Sequence, residues 1–208
     1  MATVLFVKAN DRPVEQAVSV KLYYAFLENY RKANPNDEII ELDLYAEEIP
    51  YMDSDMINGI FKSARGLELT EREASQLAIA NHYIEQFLAA DKVVFGFPLW
   101  NFTVPAILHT YIDYLNQAGK TFRYTPQGPV GLAGGKKVAL LNARGGDYSS
   151  EAAKAAEMSL RLVELNMRQF GIDDITSVVV EGHNQYPDRS AEIIQAGVEE
   201  AAEAGASF

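Results

Sequence analysis

The feature that most constrains the fold is an alternation along the chain. Short, continuous apolar runs take turns with longer stretches whose apolar residues recur every three or four positions. Thr3 to Val7 (TVLFV), Lys92 to Phe97 (KVVFGF), Lys137 to Asn142 (KVALLN) and Thr176 to Val180 (TSVVV) have the pattern of strands buried on both faces. Glu38 to Asp43 (EIIELD) reads as a further strand with acids at its ends. Between them, Ala17 to about Asn34 places Val18, Leu22 and Phe26 at helical steps, and Pro35 ends the helix. Leu69 to Ala90 reads as a long helix, and Pro105 to Asn116 as another that Thr103 caps. Ala152 to Phe170 and Ala191 to Ala204 complete the set. Ile49 to Gly66 reads as irregular, with Tyr51, Met52, Met56, Ile60 and Phe61 exposed on it, and Gly128 to Gly135 as a glycine-rich connector.

Strands and helices at this spacing imply parallel strands joined by helical crossovers, which bury both faces of one sheet. The expected architecture is α/β, a three-layer doubly wound sheet of five parallel strands with helices on both faces. A length of 208 residues fits a single domain, 1–208, and no repeat or linker divides it. In such sheets ligands sit where strands end at a switch in strand order. That rule selects three loops: residues 8–19, 97–103 and 142–148.

Composition narrows the chemistry. The chain has no cysteine, which excludes disulfides, thiolate metal sites and a nucleophilic thiol, so any redox role needs a bound cofactor. Lys and Arg number 18 against 29 Asp and Glu, a net charge of −11 that argues against nucleic acid or an anionic membrane as a partner. No apolar stretch approaches the length of a signal core or a membrane span, so the chain reads as a soluble cytoplasmic protein. His82, His109 and His183 have no second histidine at ligand spacing, and no metal site is expected.

Each loop has a chemical reading beside a plain one. The first leads into a helix N-terminus, whose free N–H groups and partial positive charge suit a phosphate, with Asn10, Ser19, Arg12 and Lys21 nearby. Ser19 is equally well placed simply to cap its own backbone. No Gly-x-Gly occurs, and Gly135-Lys136 lacks the companions of a phosphate-binding P-loop. The second loop, Pro98-Leu99-Trp100-Asn101-Phe102, carries the only tryptophan at the rim of the sheet. Its rings either stack on a planar ligand or plug the sheet end. The third, Asn142-Ala143-Arg144-Gly145-Gly146-Asp147-Tyr148, joins paired glycines to one cation. Either the backbone approaches a ligand edge there, with Arg144 and Tyr148 assisting, or it is an ordinary turn with Arg144 solvated.

Taken together, Lys8-Ala9-Asn10 with Ser19, Phe97 to Phe102 and Asn142 to Gly146 resemble the FMN-dependent NAD(P)H azoreductases, flavodoxin-like quinone-reducing homodimers of bacteria. Gly128-Pro129-Val130-Gly131-Leu132 and Val180-Glu181-Gly182-His183-Asn184 extend the resemblance over essentially the whole chain. It implies that Asn10, Ala17, Val18 and Ser19 hold the FMN phosphate and ribityl end. Pro98, Leu99, Trp100, Asn101 and Phe102 run along the ring, Ala143, Arg144, Gly145 and Gly146 line its pyrimidine side, and Tyr148 lies near its O2 edge. Tyr124 and Phe61 border the substrate space. Ala9 and Ala17 stand where serine is frequent in the family, which shifts phosphate binding onto backbone N–H groups.

The implied activity is a ping-pong one. NADH or NADPH reduces the flavin and leaves, and a quinone or an aromatic azo dye then takes its place; cleaving an azo bond to amines needs two rounds. No protein side chain is required as a catalytic residue, since the hydride moves through FMN. The implied assembly is a homodimer with FMN at the interface, in keeping with the broadly apolar 152–170 helix and the 51–61 segment. The alternatives are a flavodoxin-type electron carrier that does not oxidise NAD(P)H and a flavin-free receiver module. The second is poorly served, because Phe97-Pro98 stands where a receiver carries an aspartate.

Overall fold

A computed structural model describes residues 1–208. Five parallel strands form the sheet: β1 (Thr3–Lys8), β2 (Glu38–Asp43), β3 (Lys92–Pro98), β6 (Lys137–Arg144) and β7 (Asp174–Glu181). Their spatial order is β2-β1-β3-β6-β7, so the chain reverses direction across the sheet between β1 and β3. The strand predictions agree with these spans to within two residues at each end.

Helices cover both faces because the strand side chains alternate. Val4 and Phe6 of β1, Val94 of β3 and Ala139 and Leu141 of β6 pack with Leu22, Phe26 and Tyr30 of α1 (Val18–Ala33) and Ala201 of α7 (Ser190–Ser207). Leu5, Val7, Val93, Phe95, Val138 and Leu140 face the other way. They meet α3 (Glu71–Ala89), α4 (Ala106–Leu115) and α6 (Ser159–Gln169). The larger of these side chains each contribute roughly 1.5–3 kcal/mol of burial, which fixes the sheet ends that carry the loops. No helix is long and apolar enough to cross a membrane.

Five local expectations are corrected. The 49–66 stretch contains a helix, α2 (Ser54–Ser63), whose N-cap Asp53 accepts from the Met56 N–H at 2.9 Å. Met56 is fully buried, and Met52 and Ile60 are partly buried against the same core, not exposed. The glycine-rich connector belongs to an antiparallel hairpin of β4 (Phe122–Thr125) and β5 (Gly128–Gly131), which Thr125 Oγ1 closes by donating to the Gly128 carbonyl. The 152–170 helix is interrupted: a short α5 (Glu151–Lys154) precedes α6, and residues 155–158 turn between them. Thr103 does not cap α4. Its backbone pairs with Trp100 in both directions, and the cap position falls to Pro105 with no side-chain bond.

Candidate functional site

The β1, β3, β6 and β7 ends converge on a cleft of about 410 Å³, within the usual range of a cofactor site. Nine of the residues that the resemblance assigns to the cofactor line it: Asn10, Ala17, Val18 and Ser19 from the first loop, Pro98, Leu99 and Trp100 from the second, and Ala143 and Gly145 from the third.

On the first side, α1 begins without a side-chain cap, and the N–H groups of Ala17, Val18 and Ser19 donate to nothing in the chain. Ser19 does not cap its own backbone. Its hydroxyl accepts from Asn10 Nδ2 at 2.9 Å, while Asn10 Oδ1 accepts from the Arg12 N–H at 3.0 Å. Both side chains are buried, so this pair shapes the loop and leaves the amides to face the cleft. Arg12 and Lys21 add positive charge to the lining, and Glu15 opposes it.

On the second side, Trp100 is 37% exposed and Phe102 53%, so neither ring plugs the sheet end. Asn101 (φ +49°) and Phe102 (φ +71°) are the only non-glycine residues in the left-handed region. For a bulky residue that conformation is uncommon and costs of order 1–3 kcal/mol. It is held by the Trp100–Thr103 backbone pairs and by the Met158 N–H, which donates to the Phe102 carbonyl at 2.9 Å. Trp100 also walls a second cavity of about 650 Å³, which Asn101, Tyr45, Tyr51, His109 and Asp113 help to line.

The third loop departs from its chemical reading. Arg144 is not a free cation aimed at a ligand: it is nearly buried between Glu181 at 3.4 Å and Glu157 at 3.8 Å, with its guanidinium 5.7 Å from the Tyr148 ring. Gly145 accepts through its carbonyl from the Asn184 and Gln185 N–H groups. Asp147 takes the Ser149 N–H at 2.8 Å and the Tyr186 hydroxyl at 2.8 Å. Ser149 first, then Tyr186, hold the Asp147 carboxyl below its usual range.

Arg144, Gly146, Tyr148 and Phe102 line neither cavity, and Asn101 lines only the second. Tyr124 (76% exposed, on the β4–β5 hairpin) and Phe61 (58% exposed, on α2) are open to solvent and border neither cavity. A fourth segment was missed. His183, Asn184, Ser190 and Ile194, from the β7–α7 connection and the start of α7, complete the cleft. His183 Nδ1 is buried there without a hydrogen-bond partner, and burial pushes the imidazole below its ordinary value. The sequence signal was its place just after the last strand.

This set fits a flavin mononucleotide: unsatisfied amides at a helix start for the phosphate, the half-exposed Trp100 ring for a planar system, and an unpaired imidazole nitrogen in the same lining.

Comparisons with known proteins agree. A family model described as a flavodoxin-like fold matches residues 2–204. The chain is 65% identical, over all 208 residues of both proteins, to FMN-dependent NADH:quinone oxidoreductase 3 of Bacillus cereus. It is 58% identical, again over the full length of both, to FMN-dependent NADH:quinone oxidoreductase 1 of Bacillus subtilis. The crystal structure of an azoreductase from Bacillus anthracis superposes with a TM-score of 0.97 at 63% identity, covering both chains completely. An FMN-dependent NADH-azoreductase of the same species, solved in complex with FMN, superposes at 0.89 with 28% identity, over 100% of this chain and 99% of that one.

Proposed function

Since this chain belongs to the flavodoxin-like family that holds the FMN-dependent NADH:quinone oxidoreductases and azoreductases, we propose that it is an FMN-dependent oxidoreductase. In this reading it uses NADH or NADPH to reduce quinones and to cleave aromatic azo compounds to amines, in the cytoplasm. The observation that carries the reading is the coincidence, in one cleft, of the unpaired amides of residues 17–19 with the half-exposed Trp100. Bound FMN supplies the chemistry, taking a hydride from the nicotinamide and passing two electrons to the acceptor.

The protein's part is to hold and orient. The Ala17, Val18 and Ser19 amides, with the partial positive end of α1, take the phosphate. Asn10 keeps that loop closed through Ser19 and Arg12. Pro98, Leu99, Trp100, Ala143 and Gly145 border the ring, with Asn101, Phe102, Arg144, Gly146 and Tyr148 outside the lining. The strained Asn101-Phe102 turn fixes where the aromatic wall stands. The half-exposed Trp100 ring offers a flat wall beside which a nicotinamide and an acceptor can lie in turn.

The assembly in this reading is a homodimer. Met158 and Leu165 are exposed on an open apolar groove along α6, and Tyr51, Phe61 and Tyr124 are exposed aromatics that a second copy would cover, the last two beside its slot. Sedimentation of the holoprotein tests it.

The deciding experiment is the absorption spectrum of the purified protein under anaerobic conditions. A flavin band that NADH bleaches within the time of turnover supports the reading. A protein that binds FMN but leaves it oxidised in NADH is the electron carrier instead, and one that takes up no FMN overturns both.

A further inference from the structure

The three residues that start α6 touch both cofactor loops, although none of them lines the cleft. Glu157 is nearly buried, and Ser159 and Asn142 are completely so. Glu157 Oε1 accepts three hydrogen bonds at 2.9 Å, from the Ser159 N–H, the Ser159 hydroxyl and the Leu160 N–H. A carboxylate in that place satisfies orphan donors of the helix and complements its positive end. The same hydroxyl accepts from Asn142 Nδ2 at 3.2 Å, and Asn142 Nδ2 also reaches the Phe97 carbonyl at 3.2 Å. Between these residues, the Met158 N–H holds the carbonyl of the strained Phe102. The other oxygen, Glu157 Oε2, lies 3.8 Å from the Arg144 guanidinium, which Glu181 meets from the opposite side at 3.4 Å.

We propose that Glu157 is a positioning residue: by fixing the first turn of α6 it holds the aromatic loop through Met158, and by pairing with Arg144 it sets the charge behind the glycine loop. The aromatic loop is strained and keeps its shape only where surrounding bonds over-determine it. Met158 supplies one such bond, and the Met158 N–H points correctly only while the helix start is capped. Arg144 carries one positive charge between two carboxylates, so the site behind Ala143 and Gly145 has a net negative charge despite its arginine. A flavin gains negative charge on reduction, and this arrangement holds its potential down.

The inference rests on the FMN reading for its second half only, and the only tryptophan of the chain, Trp100, reports the first half without any cofactor. Three variants serve: Glu157→Ala, Glu157→Gln and, as a control away from the cleft and the α6 groove, Glu41→Gln, which breaks the exposed pair with Arg31. In the cofactor-free proteins, Glu157→Ala should red-shift and broaden Trp100 emission. Glu157→Gln, whose amide oxygen still accepts from Ser159 and Leu160, should stay close to wild type.

With FMN added, Glu157→Ala should bind roughly tenfold more weakly, the scale of one charge-assisted hydrogen bond. Glu157→Gln should bind FMN within a fewfold of wild type but show a more positive midpoint potential, because Arg144 then has one carboxylate instead of two. Glu41→Gln should change none of these. Wild-type emission in Glu157→Ala, or a Glu157→Gln potential equal to the wild type's, overturns the proposal. If Glu157→Ala fails to fold, the Glu157→Gln potential decides. If the wild type binds no FMN, the cofactor reading falls, and Trp100 emission alone decides whether Glu157 positions the loop.

Discussion

A single methyl group at position 145 separates two reasons for the glycine there. A Cβ on Gly145 would lie 2.4 Å from Asn184 Nδ2, 3.0 Å from its Cγ and 3.2 Å from its Cβ. Asn184 cannot retreat as a unit, because its N–H donates to the Gly145 carbonyl at 3.0 Å. Its exposed amide can change rotamer, so Gly145→Ala should cost about 1–2 kcal/mol, the lower part of the range for overpacking. At this chain length each kcal/mol lowers Tm by about 2–4 °C, so the variant should melt roughly 2–8 °C early. Asn184→Ala removes the two nearest atoms and no side-chain hydrogen bond, and should stay within about 0.5 kcal/mol of wild type. The double variant keeps only the 3.2 Å contact and should recover most of the loss, a coupling of about 1 kcal/mol. Melts of the four proteins, each with an FMN titration, complete the cycle. If the glycine is there instead to let the backbone approach the ring, Gly145→Ala and the double variant lose FMN equally and neither loses stability. A Gly145→Ala protein as stable as wild type, or one whose loss persists unchanged beside Asn184→Ala, refutes the packing argument.

Three further outcomes follow from the same geometry. Burial pushes His183 below its ordinary value, so the folded chain resists a proton that the unfolded chain accepts. Its contribution is therefore present above about pH 6.5 and is lost as pH falls below that, and urea melts from pH 7 to 5 should show a shallower decline in His183→Gln. At Asn101 (φ +49°), alanine should lose about 1 kcal/mol of stability in the left-handed conformation while glycine should not. Both should bind FMN about three- to tenfold more weakly if the side-chain amide meets the ring, and equal stabilities would sink the strain argument. With a net charge of −11, kcat/KM for NADH should rise with moderate salt as the repulsive field is screened; a steep fall would mean that Arg12 and Lys21 dominate the approach.

What the sequence made legible depended on how local the cause was. A strand buried on both faces must be apolar throughout, so Val4 to Val7 and Val138 to Leu141 announce themselves. Helix α2 was hidden because Pro50, Gly59 and Gly66 read as breakers. Gly59 is in fact helical, and is small because a Cβ there would come within 2.8 Å of the Glu73 carbonyl on α3. Asp53, three residues before Met56, was the cap signal. The break before α6 has no breaker at all in Ala155-Ala156-Glu157-Met158. It exists because Glu157 turns to Arg144 and Met158 to Phe102, partners remote in sequence. The site followed the same rule. The three loops picked from the strand ends do converge on one cleft, whereas the ion pairs of Arg144 were not legible because its two carboxylates lie 13 and 37 positions away. His183 was passed over because the switch-point argument stops short of the edge strand.

The polar side chains around the cleft mostly face one another. Asn10 and Ser19 bond each other, Asn142 bonds Phe97 and Ser159, Arg144 lies between carboxylates, and Asp147 takes Ser149 and Tyr186. What remains for a ligand is largely backbone and ring: the amides of residues 17–19, the face of Trp100, and the reach of Arg12 and Lys21. Ala17 therefore gives up no donor by being an alanine, since an N–H donates whatever side chain follows it. The same arrangement also removes the difficulty of an acidic chain binding an anionic cofactor. The partial charge of a helix start acts within about one turn, where its amides point directly at the anion. The surface carboxylates that make up the −11 are screened beyond about 8–10 Å at ordinary salt. In the proposed reading, retention of FMN is governed by the α1 terminus, and the overall charge governs only how fast the anions arrive.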